Sequence, residues 1–256
     1  MCIRDSDKPK GMNSIDPGMM VAMREVFKNL EADSTVSVIV LSGSGDHFGA
    51  GYDLNFDWTG HYGSSVLEWR RMLKDCVDFE FLPWDIPKPV IAKVRGYCLA
   101  GSCELAMMCC VTIASDTSKF GEPEIRFSTS PPALVMPWIV GFKKARELLY
   151  TGDLIDADEA LRIGMVNKVV ADADLEAETM QLARKMAAIS PEGLQTTKAS
   201  INQTAEIAGF RQAIAYGMEQ GSMLDATETA VLRKFNEIRE NEGLTAAIRW
   251  RESQFE

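Results

Sequence analysis

With 256 residues, 46% of them hydrophobic, the chain is long enough for one large core, or for a main domain with a smaller appendage. The 27 Lys and Arg against 37 Asp and Glu leave a formal charge of -10, which argues against a general nucleic-acid or anionic-membrane surface. No apolar run reaches the roughly 18 to 20 residues of a bilayer span, and no charged-then-apolar signal segment opens the chain, so a cytoplasmic protein with no membrane partner is expected.

Residues 1–6 show neither a strand nor an amphipathic pattern. A helix is expected from Asp16-Pro17: Asp16 can cap it, Pro17 suits its first position, and Met19, Met20, Met23, Val26, Phe27 and Leu30 recur at helical spacing. Val36 to Leu41 reads as a buried strand, ended by Ser42-Gly43-Ser44-Gly45, with a loop running on through Leu54. Residues 64–82 read as a helix that Pro83, Pro87 and Pro89 stop. A strand from Pro89 to Val94 follows, then a turn at Arg95-Gly96-Tyr97, a second glycine at Gly101 and a short apolar helix from Ser102 to Met108. Val111 to Ser115 is the next buried strand.

Beyond Glu124 the pattern is mostly helical. Pro131-Pro132 opens an apolar segment that Gly141 closes, Lys143 to Tyr150 and Asp156 to Ile163 are helices, and Met165 to Val170 is a last strand. From Asp174 onward Pro191, Gly209, Gly221 and Gly243 divide a run of amphipathic helices. The whole reads as an α/β protein whose β-rich core, residues 7–190, carries a helical region over residues 191–256.

Two carboxylates stand out. Glu104 is alone among apolar neighbours in Gly101-Ser102-Cys103-Glu104-Leu105-Ala106, and Glu124 lies in Phe120-Gly121-Glu122-Pro123-Glu124-Ile125. Each follows a strand-like run and a glycine-bearing turn. Two such turns that present backbone N–H groups to one point would bind a carbonyl oxygen as it becomes negative, which is an oxyanion hole. Gly101 has no Cβ to prevent close approach, and the helix after it would aim its positive end at the same oxygen. A carboxylate in an apolar helix is costly to bury unless paired or used, although Glu104 also suits a helix N-terminus as a simple charge complement. Glu124, flanked by Glu122 and Arg126, reads equally well as part of a solvated turn.

The six cysteines (Cys2, Cys76, Cys98, Cys103, Cys109, Cys110) lack zinc spacing and read as buried, reduced thiols. His47 and His61 are the only histidines, a poor basis for a Ser-His-Asp triad or a His-rich metal site. No metal is expected.

The order Phe48-Gly-Ala-Gly51-Tyr-Asp-Leu54, Lys88-Pro-Val-Ile-Ala-Lys-Val-Arg-Gly96-Tyr-Cys-Leu-Ala-Gly101-Ser-Cys-Glu104-Leu-Ala and Phe120-Gly-Glu-Pro-Glu124-Ile resembles the crotonase superfamily, the enoyl-CoA hydratases and isomerases. Thr151-Gly152-Asp153, Ala157, Glu159-Ala160, Gly164 and Val166 extend the likeness, which runs from about Lys8 to Phe255. The resemblance implies a crotonase-like spiral of ββα turns with a C-terminal helical region that assembles trimers, often paired into hexamers. It implies an acyl-CoA thioester as substrate, with CoA part of that substrate and no separate cofactor. The thioester carbonyl would sit between the backbone N–H groups of Tyr52 and Gly101. Glu104 would hold and deprotonate water for attack at Cβ, and Glu124 would deliver a proton to Cα. Lys10, Gly11 and Met12 match the family's first CoA-contacting turn, and Ala50, Tyr52, Asp53 and Leu54 would follow the adenine and pantetheine, the Asp53 side chain being structural.

Retention of both glutamates favours hydration over isomerisation or another crotonase-type reaction, and an inactive binding or assembly protein ranks last. Several positions depart from the family's pattern. The strands that should precede Lys8-Pro9 are expected to be missing, Pro131-Pro132-Ala133-Leu134 replaces a glycine-rich stretch, Cys110 replaces a frequent aspartate, and Ala247 and Trp250 stand where hydratases use Phe and Lys. The bulkier residues after Pro131 would reshape the acyl pocket, and some family members acting on aromatic or cyclic acyl-CoAs also depart from the glycine-rich form here, so the resemblance does not imply a short straight-chain substrate.

Overall fold

The computed structural model describes residues 2–255, with side chains from Ser6 onward. Five parallel strands form the main sheet in the order β1 (Cys2–Ser6), β2 (Ile39–Gly43), β3 (Val90–Val94), β5 (Val111–Ser115) and β8 (Lys168–Val170). Parallel strands need crossovers, and crossovers cover both faces. The period-2 alternation shows this directly. Val40, Ile91 and Ile113 meet Leu175 and Ala183 of α9 (Leu175–Ala187) on one face, while Leu41, Val90, Ala92 and Ala114 enter the larger core on the other.

The N-terminal expectation is corrected here. Residues 2–6, read as no strand, pair in parallel register with β2 from Cys2↔Ile39 to Ser6↔Gly43, so a strand does precede Lys8. Ladder pairing is made by the backbone, so an edge strand can form without an alternating side-chain pattern. β2 begins later than expected because the Val36 N–H is turned onto the Asp33 carbonyl.

The first crossover is α1 (Pro17–Ala32), capped by Asp16, whose Oδ1 accepts from the Met19 N–H at 2.8 Å. Between β2 and β3 come α2 (Trp58–Tyr62), α3 (Val66–Glu80) with a Ser65/Glu68 capping box, and α4 (Leu82–Asp85). A second sheet has the order β4 (Tyr97–Leu99), β6 (Lys119–Gly121), β7 (Ile155–Asp156), in which β4 and β6 are parallel. The sequence showed only a turn at the first of these and nothing at the second. Strands of three residues are too short to display a period. Around them lie α5 (Gly101–Met107), α6 (Met136–Val140), α7 (Phe142–Thr151) and α8 (Ala157–Arg162).

The C-terminal run is α10 (Pro191–Ile207), α11 (Phe210–Asp225), α12 (Ala230–Glu242) and α13 (Leu244–Glu252). Gly221 does not divide it: it lies inside α11, where an added Cβ would fall 2.5 Å from Ser130 Oγ. It permits close approach rather than ending a helix. Phe210, Ile214 and Met218 of α11 belong to the main core, and Phe235, Ile238 and Ala247 join α12 to α13 over Phe127. Lys198 ties α10 to the core by donating to the Pro83, Ile86 and Lys88 carbonyls at 2.7, 2.5 and 3.0 Å. Of the described cysteines, all free, Cys76, Cys98 and Cys103 are buried; Cys110 is exposed in the turn before β5, against expectation. Among the described residues no helix is long and apolar enough to cross a membrane.

Candidate active site

The second sheet brings the two acid-bearing segments together. Leu99 of β4 pairs with Gly121 of β6, and the Ala100 N–H donates to the Gly121 carbonyl at 2.8 Å, so both strands release their chains at one edge. One chain becomes Gly101 and Glu104, the other Glu122 and Glu124. A third segment joins them through the Gly49↔Cys98 bridge and the Leu99 N–H, which donates to the Gly49 carbonyl at 2.9 Å. Ala100 has φ 53° and ψ -139°, a conformation few side-chain-bearing residues adopt, and it turns the chain abruptly into α5.

Tyr52 and Gly101 face each other across this junction. A Cβ on Gly101 would lie 2.4 Å from Tyr52 Cε2. On either side of Tyr52 the backbone is engaged: the Ile15 N–H donates to the Gly51 carbonyl and the Asp53 N–H to the Ile15 carbonyl, both at 2.8 Å. Among the described residues no protein group accepts from the N–H of Tyr52 or of Gly101. In Gly101 this follows from its place at the start of α5, where helical N–H groups have no intrahelical partner.

Glu104 is fully buried in the first turn of α5, and its Oε1 accepts from the Ala133 N–H at 2.7 Å. Beside it lies a residue that the sequence reading passed over. Glu80, the last residue of α3, is also fully buried; its Oε1 accepts from the Tyr52 hydroxyl at 2.5 Å, and its carboxyl is within hydrogen-bonding reach of Glu104. A signal existed: Glu80 stands four residues after Cys76 and seven after Leu73, on the apolar face of α3. It was hidden by Lys74, Asp75 and Asp78, which make the stretch look solvated. Glu122 is buried with both oxygens unpartnered, as are both oxygens of Glu124.

These acids crowd together, and among the described residues none of them forms an ion pair with a cation. Burial, tempered by the Tyr52 hydroxyl but reinforced by Glu124, pushes Glu80 up to about 8. Burial and then the Asp225 charge take Glu124 to about 8 as well, despite its own backbone N–H. Glu104 is held well above the usual range by burial first, then by the charges of Glu80, Glu122 and Glu124; burial acts likewise on Glu122. Raised folded-state values mean that the native protein binds protons which the unfolded chain has released. Stability therefore falls as pH rises from about 4.5 through about 8. Glu122→Gln, a neutral isostere, is expected to raise the melting temperature by several degrees near pH 8 and by much less near pH 5, as thermal melts at the two pH values would show.

Glu124, but not Glu104, lines the cavity that opens here. Its volume is about 850 Å³. Ala50, Tyr52, Leu54 and Ala100 form one wall, Trp69, Met72, Leu73 and Cys76 of α3 another, and Leu232, Phe235 and Arg239 of α12 a third. Tyr52, Ala100 and Pro132 are among the lining residues, whereas Glu80 and Glu104 are not. Of the residues expected to meet substrate or CoA, Ala50, Tyr52 and Leu54 line the cavity, whereas Lys10, Gly11, Met12, Asp53 and Gly101 do not, although Ala100 next to Gly101 does. The Lys10–Met12 turn nevertheless abuts the same loop, since the Ala50 N–H donates to the Met12 carbonyl at 3.0 Å. Asp53 is engaged structurally: Lys8 Nζ and the Asn55 N–H donate to its carboxylate at 2.7 and 2.9 Å.

The sequence model described as enoyl-CoA hydratase/isomerase matches residues 5–244. The chain belongs to the enoyl-CoA hydratase/isomerase family. A crotonyl-CoA hydratase of Syntrophomonas wolfei is 31% identical over 253 residues, covering 97% of this chain and 92% of the relative. The crystal structure of an enoyl-CoA hydratase/isomerase from Xanthobacter autotrophicus Py2 superposes with a TM-score of 0.94 at 36% identity, over 98% of this chain and 93% of that one. A monofunctional enoyl-CoA isomerase from Mycobacterium smegmatis also shares the fold, at a TM-score of 0.66 and 27% identity over 80% and 88% of the two chains. The α/β crotonase fold, with its helical C-terminal region, is thus common to this chain and to family members of both names.

Proposed function

We propose that this family member binds an enoyl-CoA thioester and adds water across its α,β-double bond, with no cofactor besides the CoA of the substrate. The observation that carries the reading is that the N–H groups of Tyr52 and Gly101 are unengaged while the two residues lie against each other, beside a cavity lined by Tyr52, Ala100 and the unpartnered acid Glu124. The thioester oxygen would accept from both N–H groups, which stabilise the negative charge that builds on it as the enolate forms. Glu124, kept protonated at neutral pH by burial, would give its proton to Cα. Glu104, in its ionised form, would take the proton of the attacking water; burial and the neighbouring acids disfavour that form, and the water must reach it from the cavity. The Ile201 and Ile207 side chains of α10 and Tyr216 and Met223 of α11 are exposed apolar groups, and they support assembly into a trimer or a pair of trimers.

The placement of Glu104 behind the cavity wall favours one second reading, double-bond isomerisation, in which Glu124 alone removes a proton from one carbon and returns it to another. Absorbance at the enoyl-thioester band, read with product mass over a panel of straight-chain, cyclic and aromatic enoyl-CoAs, separates the two. Hydration gains one water; isomerisation keeps the mass and takes up solvent deuterium. No change on any substrate, from folded protein, would overturn both.

Gly101→Ala tests the hole itself. Its Cβ would meet the Tyr52 ring, so kcat/KM is expected to fall by about 10²-fold, in line with loss of one oxyanion donor, while circular dichroism keeps the native spectrum.

A further inference from the structure

Asp225, the last residue of α11, lines the same cavity and plays no part in the reaction described above. Three features of its position work against a carboxylate. It is only 7% exposed, it faces the acid Glu124, and it sits at a helix C-terminus, where the dipole favours cations. Neither of its oxygens has a partner in good hydrogen-bond geometry, although the Thr129 hydroxyl is close enough to lower the group slightly, and Arg239, lining the cavity from α12, makes no ion pair with it. Burial pushes the group up to about 7, so near neutrality it is partly a neutral acid.

A second polar group shares the place. Ser130 Oγ is buried and unpartnered as well; it lies against Gly221, one helical turn before Asp225, and Ser130 also lines the cavity. Leu73 of α3 also lies against Gly221, so an apolar side chain flanks the two polar groups. Unpartnered buried groups in a binding cavity await a ligand that satisfies them. A hydroxyl meets both needs, donating to Asp225 while accepting from Ser130; an ammonium can only donate.

We propose that Asp225, with Ser130, selects acyl-CoA substrates whose acyl group carries a hydroxyl, the Asp225 carboxyl accepting its hydrogen bond. The proposal rests on acyl-CoA binding at this site and deepens that reading. A site built around a substrate hydroxyl rejects the analogue that lacks it, because the analogue leaves the protein's polar groups buried and unpaired.

The test is titration calorimetry with matched saturated acyl-CoAs, hydroxylated and plain, in one aliphatic and one aryl pair. The hydroxyl is placed away from Cβ, because a β-hydroxyacyl-CoA is the product of the proposed hydration; a saturated thioester hydroxylated elsewhere has nothing to react, so the binding result stands apart from turnover. Wild-type protein is expected to bind the hydroxylated member of at least one pair about tenfold tighter or more. Asp225→Leu, checked for folding by thermal melt, is expected to abolish the preference, and Asp225→Asn, which keeps an acceptor, to retain part of it. Equal affinities in both pairs, a preference that survives in Asp225→Leu, or no binding of any member overturns the proposal; equal affinities would mean that Asp225 and Glu124 serve each other. Turnover of plain enoyl-CoAs with no hydroxyl preference would sink this inference and leave the proposed reaction standing. Hydroxyl preference without turnover would do the reverse.

Discussion

Glu124→Gln is expected to lower kcat on an enoyl-CoA by about 10³-fold, with KM changing less than about threefold. Gln keeps the shape of Glu and the two covered oxygen-and-nitrogen positions, so the cavity retains its form, yet it has no acidic proton to pass. The pH profile supplies an independent reading. Burial, then the Asp225 charge, sets Glu124 near 8, so below that value it carries the proton that Cα needs and above it the proton is gone. Wild-type kcat/KM for hydration should therefore fall as pH rises through about 8, a limb absent from the residual activity of Glu124→Gln. Near-normal turnover with the limb intact would move the proton transfer to another group, and Asp225 is a buried acid of the same cavity.

The glycine turns, Glu104 and Glu124 were legible in the sequence because each departs from what its neighbours require. A carboxylate in Gly101–Met107 cannot be explained by packing, and Gly101 precedes a helix that needs no glycine there. Strand β5 was read with its observed bounds, since the β-branched run Val111-Thr112-Ile113 favours a strand and small Ala114 and Ser115 close it. Short elements were lost. β4 and β6 owe their existence to each other, and their pairing, which sets the two acids side by side, is a long-range fact that no window of sequence contains. Glu80 and Asp225 were lost for a different reason: each lies on a helix whose other charges face solvent, and only the packing of α3 and α11 turns these two inward. The seclusion of Glu104 was also invisible, because it depends on where the ring of Tyr52 and the Pro131-Pro132 turn come to rest.

That seclusion makes Glu104→Gln the deciding experiment between the two reactions. If water is added, removing the base should lower hydration by about 10³-fold, because Glu104, oriented by the Ala133 N–H, is the acid that takes the water's proton. If only a double bond moves, the loss should stay within about tenfold, since the Gln amide still fills the space and Glu124 does the chemistry. The pairing with Glu80 sharpens the comparison. Glu80 holds the Tyr52 hydroxyl with one oxygen and leaves the other unpartnered, Glu104 also leaves one unpartnered, and the two carboxyls lie within hydrogen-bonding reach. A single proton between the two acids satisfies both oxygens, whereas two carboxylates would repel each other in a site without a cation. Glu80→Gln replaces that proton with an amide donor and frees Glu104 to ionise. Hydration by Glu80→Gln is therefore expected to extend to lower pH than in wild type, because the base is charged sooner; a profile that does not move would mean that Glu80 only anchors Tyr52.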